Sequence, residues 1–158
     1  MKGVVLLVTA LAILVADQVT KALVVSNLAV GQKAQLLGDV VLIWHAQNRG
    51  AAFSLFQGGT IVFLVVSVLS IGMVAYFHRS LRAQGLWLHV VLGVILGGTL
   101  GNFIDRLRHG YVTDWLSVGI GETRWPTFNV ADSSIVVGIG ILVLYLFLAH
   151  PDRREATA

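Results

Sequence analysis

The stretch FNVADSSIVVGIGILVLYLFLAH, residues 128–150, decides what kind of protein this is. Residues 133–149 carry no charged side chain, and a start at Asn129 brings the run to the roughly 20 residues that a helix needs to cross a bilayer. A carboxylate, Asp132, stands at its entrance. Asn129 suits the N-cap of such a helix, which places Asp132 at the third helical position. There it can reach back to the cap as a capping box, and the helix dipole favours its charge by about 0.3–1 kcal/mol. A local role therefore accounts for Asp132. A charge at membrane depth is also a candidate functional group. Both readings stand at the level of this one stretch.

Three further runs have the same character. Residues 55–77 and 83–104 are uncharged, and residues 3–16 reach spanning length by continuing through Asp17 to about Val25. The chain of 158 residues is 56% hydrophobic and 12% charged, about half the charge of a soluble domain, and its mean hydropathy is +0.83. This composition predicts a single integral-membrane domain over residues 1–158, with spans at roughly 4–25, 57–77, 85–104 and 129–149. The first run also resembles a secretory signal peptide, but no clean small-x-small site followed by a soluble domain comes after it. With no cysteine, disulfides, thiolate metal sites and cysteine nucleophiles are excluded. The five histidines show no pair at metal-ligand spacing. The basic residues are dispersed, so nucleic acid is not an expected partner.

Four spans put both termini on one side. Lys2, Arg79, Arg82, Arg153 and Arg154 fall on the terminal side, and Lys33, Arg49, Arg106, Arg108 and Arg124 on the other. The numbers tie, but the terminal-side charges lie in much shorter segments, which favours termini inside. Of the two outer segments, the first contains VVLIWHA (residues 40–46), which reads as a strand near the membrane surface. The second, HGYVTDWLSVGIGETRWPTF (residues 109–128), is broken by glycines and Pro126, so it is not a fifth span. Trp115 and Trp125 suit the bilayer interface.

The polar residues near the bilayer are few enough to take singly. Asp17 and Lys21 lie four apart on the first helix and read as an intrahelical ion pair. In GGTLGNFIDRLRHG (residues 97–110), the glycines allow close helix packing. Asp105 beside Arg106 reads as a helix-end charge cluster or as a functional group, and Arg106 offers a fork of donors to carbonyls or a lipid headgroup. Asp114, in YVTDWL, is unremarkable alone. Together with Asp132 it says more. Two carboxylates brought within a few ångströms share one proton, and such a pair can activate a water and protonate a carbonyl oxygen.

The blocks DQVTK (17–21), NRGAAFSLF (48–56), GGTLGNFIDRLRHGYVTDW (97–115) and FNVADSS (128–134) occur in an order that closely resembles the bacterial lipoprotein signal peptidases, signal peptidase II. The resemblance covers nearly the whole chain. It implies four transmembrane helices with cytoplasmic termini, a small extracytoplasmic β-cradle from the first outer segment, and a mobile periplasmic loop or helix in the second. It implies an aspartic endopeptidase of the bacterial inner membrane, with its site at the periplasmic face, that removes signal peptides just before a diacylglyceryl-modified cysteine. Asp114 and Asp132 match the catalytic pair; Asn48, Asn102, Arg106 and Asn129 match the substrate-binding residues; Asp17 and Lys21 match a stabilising ion pair. Implied partners are prolipoproteins, membrane lipids and the cyclic-peptide inhibitor globomycin. The expected state is a monomer, with no cofactor and no metal. Arg49 departs from the small or polar residue expected in NRGAAF. Two non-enzymatic readings compete: a small carrier subunit using its carboxylates as a proton path, and a scaffold in which Asp132 is only a cap.

Overall fold

The computed structural model describes residues 1–50 and 60–148. Within them, four helices are long and apolar enough to cross a membrane: α1 (Lys2–Asn27), α2 (Thr60–Ser80), α3 (Leu86–His109) and α4 (Val130–Leu148). Each overlaps one of the expected spans, with α3 and α4 beginning one residue later than expected, after the cap residues Gly85 and Asn129; residues 57–59 and Ala149 of those spans, and most of the NRGAAFSLF block, lie outside the described residues. Helix α1 is 26 residues long, about 39 Å, more than the roughly 30 Å of a hydrocarbon core. Its C-terminal turns therefore have room to continue beyond the apolar layer.

Helix α3 is the hub. It packs against α1, α2 and α4, and most of it is buried, whereas the other three present most of their surface outward. That explains why its sequence tolerates glycines and polar groups: its neighbours are protein, not lipid. Gly93, Gly97 and Gly101 recur every four residues on the face toward α1. A Cβ at Gly97 would sit 2.5 Å from the Ala10 carbonyl oxygen, and one at Gly93 would sit 2.6 Å from that of Leu6. Only glycine lets the two backbones come this close. Gly98 makes the same allowance toward α4, where an added Cβ would lie 2.6 Å from the Ala131 carbonyl oxygen. Apolar packing fills the rest, with Leu6, Val74, Leu88, Leu92, Ile95 and Leu142 buried together.

The segments between α1 and α2 and between α3 and α4 join in one antiparallel sheet of order β1-β2-β3-β4. Its strands are β1 (Lys33–Leu37), β2 (Val41–Asn48), β3 (Val112–Ile120) and β4 (Thr123–Arg124). The strand expected near residues 40–46 is β2. The second outer segment differs from expectation: in place of a loop or helix it supplies β3 and β4 and completes the sheet. Gly119 and Gly121 act there as strand and turn residues. A side chain at Gly119 would meet the Thr123 carbonyl and Arg124, so glycine lets β4 fold back. Gly121 makes the hairpin turn at φ +55°. Arg124 then clamps the hairpin, donating to the Ser117 hydroxyl at 2.9 Å and the Asp39 carbonyl at 2.8 Å.

Candidate active site

Two local devices bring Asp114 to the end of the helical bundle. Gly110 ends α3 in the left-handed conformation at φ 74°, its N–H bonded to the Arg106 carbonyl, and the chain turns directly into β3. Strand β3 then pairs with β2, setting Asp114 opposite Ala46 and Val112 opposite Asn48. These four residues share one face of the sheet, so Asn48 is the diagonal neighbour of Asp114. Its amide nitrogen donates to Asp114 Oδ2 at 2.9 Å.

Asp132 arrives from the other direction. The Phe128 carbonyl accepts from the N–H groups of Trp115 (3.1 Å) and Leu116 (2.8 Å), which ties the entry of α4 to β3. Asn129 caps α4: its Oδ1 accepts the Asp132 N–H at 2.8 Å, and Asp132 Oδ2 accepts the Asn129 N–H at 3.2 Å. This is the reciprocal capping box. The amide nitrogen of Asn129 is aimed at Asp114 Oδ1, 2.8 Å away. One asparagine thus caps the helix that carries one aspartate and hydrogen-bonds the other.

All four carboxylate oxygens of the pair receive an N–H donor. Asp114 takes Asn48 and Asn129; Asp132 takes the Asn102 amide at 2.7 Å and the Asn129 backbone. Both aspartates line a cavity of about 510 Å³, with Asn48, Arg106, Pro126 and Phe128 among its walls. Asp114 is only 1% exposed. Burial, and next the charge of Asp132, push its carboxyl from the ordinary 3.8 up to about 7, against the opposing pull of its amide donors and Lys21. Such a carboxyl keeps its proton at pH values where surface carboxylates have lost theirs, which suits an acid–base pair sharing one proton.

The other predicted residues also converge. Arg106 lines this cavity and a second one of about 470 Å³, which descends between α2, α3 and α4 among Phe63, Leu92, Ile139 and other apolar side chains. Its guanidinium lies 4.8 Å from the Phe63 ring centroid. Asn102 and Asn129 are almost wholly buried, and their amides have partners inside the chain: Asn102 donates to Asp132, and Asn129 donates to Asp114 and, at 3.3 Å, to Asn102. Asp17 and Lys21 pair at 2.8 Å, but they are 0% and 4% exposed and belong to a larger network than an intrahelical pair.

Two further residues, Asp105, whose role the sequence alone leaves open, and Gln18, which nothing in the sequence singles out, belong to the site's surroundings. Asp105 is 4% exposed and lies 2.9 Å from Lys21. Gln18 donates to Asp105 Oδ1 at 3.0 Å and Asp17 Oδ2 at 3.2 Å. A signal for Asp105 was present in the spacing. It continues the four-residue series Gly93, Gly97, Gly101 and so sits on the face of α3 that approaches α1.

A family model described as signal peptidase (SPase) II matches residues 9–148. A protein of Dehalococcoides mccartyi named lipoprotein signal peptidase is 42% identical over 157 residues, covering 94% of this chain and 93% of that protein. One of the same name from Halothermothrix orenii is 39% identical over 140 residues, covering 89% and 93%. A solved bacterial membrane enzyme, determined by the in meso method, superposes with a TM-score of 0.84 at 28% identity, covering 94% of this chain and 90% of that one.

Proposed function

The chain belongs to the signal peptidase II family, and from that premise we propose that it is an aspartic endopeptidase that cuts the signal peptide from prolipoproteins just before a diacylglyceryl-modified cysteine. The observation that carries this reading is the meeting of Asp114 and Asp132 in one cavity, each held by amide donors. The pair shares one proton and holds a water. The ionised member takes a proton from that water, and the water oxygen bonds to the scissile carbonyl carbon. The protonated member donates to the carbonyl oxygen, giving a gem-diol. The gem-diol collapses as the leaving nitrogen is protonated, which breaks the C–N bond and returns the pair to its starting charge. Asn48 and Arg106 meet the extended backbone or the polar part of the lipid. Asn102 and Asn129 hold the pair. The apolar cavity between α2, α3 and α4 takes hydrocarbon from the signal helix or the acyl chains.

The enzyme sits in the cytoplasmic membrane as a monomer with its termini inside. The cavity then opens at the outer surface, where a translocated precursor presents its cleavage point. The test is incubation of purified protein with a diacylglyceryl-modified prolipoprotein in liposomes, with and without globomycin. Globomycin-sensitive release of the signal peptide is expected; a carrier or a scaffold would release none.

Two further results are expected. A precursor without its diacylglyceryl group should be cut at least about tenfold less efficiently, equivalent to about 1.4 kcal/mol of lost packing. Equal kcat/KM for the two precursors would remove the lipid from recognition. The pH profile should also carry the mark of Asp114. With its carboxyl at about 7, the singly protonated pair is lost as pH rises through that value, so kcat/KM should fall on the basic side. A flat profile from pH 6 to about 9 would contradict this assignment. Stability moves the same way. The folded protein holds a proton on Asp114 that the unfolded chain releases between 3.8 and about 7, so this contribution fades as pH rises through that window.

A further inference from the structure

The residues immediately before the two active-site aspartates are held in the same manner. Thr113, before Asp114, donates its backbone N–H to Asp105 Oδ2 at 3.2 Å. Ala131, before Asp132, donates its backbone N–H to Asp17 Oδ1 at 2.9 Å. Both gripping carboxylates meet a single ammonium: Lys21 Nζ lies 2.8 Å from Asp17 Oδ2 and 2.9 Å from Asp105 Oδ2. The third bond of Lys21, at 3.0 Å, goes to Asn102 Oδ1. Because that oxygen is taken, the amide nitrogen of Asn102 must face Asp132, to which it donates at 2.7 Å. Gln18 braces the assembly by donating to both carboxylates.

The charges involved are almost out of water, with Asp17, Lys21 and Asp105 0%, 4% and 4% exposed. A single buried cation between two buried anions is more than a helix-to-helix tie requires. An ordinary tie would be one neutral pair, and even that returns little net stability. Here the excess negative charge lies beside two further carboxylates that must not both ionise. The only cations facing this group are Lys21 from α1 and Arg106 from α3, among the described residues; the anions are Asp17 from α1, Asp105 from α3, Asp114 from β3 and Asp132 from α4.

We propose that Asp17, Lys21 and Asp105 form a clasp that sets the separation of Asp114 and Asp132 and the charge the pair can hold, with Lys21 as its central positioning residue. This rests on the dyad reading above and deepens it. The clasp works by geometry: one ammonium fixes two carboxylates, each of which fixes the peptide leading into one aspartate. It also works by field, since Lys21 draws Asp114 downward against burial and against Asp132. Removing the cation must therefore let the pair keep its proton to higher pH. Removing an anion from the clasp must have the opposite effect.

The test is the pH dependence of cleavage of a diacylglyceryl-modified precursor in liposomes by Lys21→Met and Asp105→Asn. Asp105→Asn retains an oxygen that can accept the Thr113 N–H. The basic limb of kcat/KM should move up in Lys21→Met and down in Asp105→Asn, each by at least about half a pH unit. In Lys21→Met, kcat should drop about a hundredfold while KM changes little, because misplacement of reacting groups by an ångström costs that much. The folded fraction is followed by globomycin binding and thermal unfolding. Limbs that stay put, or that move in the same direction, overturn the clasp. So does a loss of activity that only tracks lost folded protein. If Lys21→Met does not fold, Asp105→Asn decides alone, and an unmoved limb rejects the proposal. Near-normal cleavage by Asp114→Asn or Asp132→Asn would instead reject the dyad; dyad variants at least about a thousandfold slower, with unmoved limbs in the clasp variants, reject the clasp alone.

Discussion

Replacing either Asp114 or Asp132 with asparagine is expected to leave a folded membrane protein that no longer cuts prolipoprotein. Asparagine keeps the volume and one acceptor oxygen, so the Asn48, Asn102 and Asn129 contacts are altered but not emptied. What disappears is the exchange of a proton between two carboxyl groups. A positioned acid or base contributes about 10²–10⁴-fold, and here one group serves as both in turn, so a loss of at least about a thousandfold follows. Thermal unfolding should move by no more than about 1–2 kcal/mol, since a buried acid is exchanged for a buried amide. Conversion of precursor to mature lipoprotein, scored by gel mobility beside a globomycin-treated control, measures the first quantity. Normal turnover by either purified variant would end the two-aspartate mechanism.

Asn129→Ala is expected to damage stability and catalysis together. The asparagine caps α4 through the Asp132 N–H at 2.8 Å, and its amide reaches Asp114 Oδ1 at 2.8 Å and Asn102 Oδ1 at 3.3 Å. Loss of an N-cap costs about 1 kcal/mol, and leaving buried acceptors unsatisfied adds about 1–3 kcal/mol. Thermal unfolding should therefore show a loss of about 2–4 kcal/mol, and kcat should fall about a hundredfold because Asp114 and Asp132 lose their shared tether. Asn129→Asp separates the two effects. It retains the cap acceptor, so the share of stability lost with the cap, about 1 kcal/mol, should return, but it aims an oxygen at Asp114 where an N–H stood, so the rest of the stability and the activity should not. If Asn129→Asp recovers cleavage along with stability, the role of Asn129 is the cap alone.

How much of this was readable beforehand differs by element. The four helices were legible because a charge-free run of spanning length is a property of consecutive residues. The end of α4 nearest the site was legible for the same reason: Asn129 and Asp132 are three apart, and a capping box needs nothing distant. Strand β2 showed as a β-branched run. The strands of the second outer segment did not show, because Gly119, Gly121 and Pro126 read as breakers. In the structure Gly119 is what permits β4 to return against β3, and Gly121 makes the turn. Asp17 and Lys21 were readable as a pair at helical spacing, but not as a pair enclosed by α3.

The sequence by itself determined a membrane-spanning chain of four helices, a capped entry to the last of them, and, through the order of its polar blocks, its family. Only the tertiary structure decided which carboxylates meet. Asp114 and Asp132 share a cavity because Phe128 is laced to β3 and because β3 pairs with β2. Lys21 reaches Asp105 and Asn102 because glycines on α3 bring α1 within backbone contact. The physical reason is one of range. Hydropathy and helix capping act within a few residues, so they are written in local order. The charge a buried carboxyl can carry depends on which distant groups surround it, and that exists only once the helices have packed.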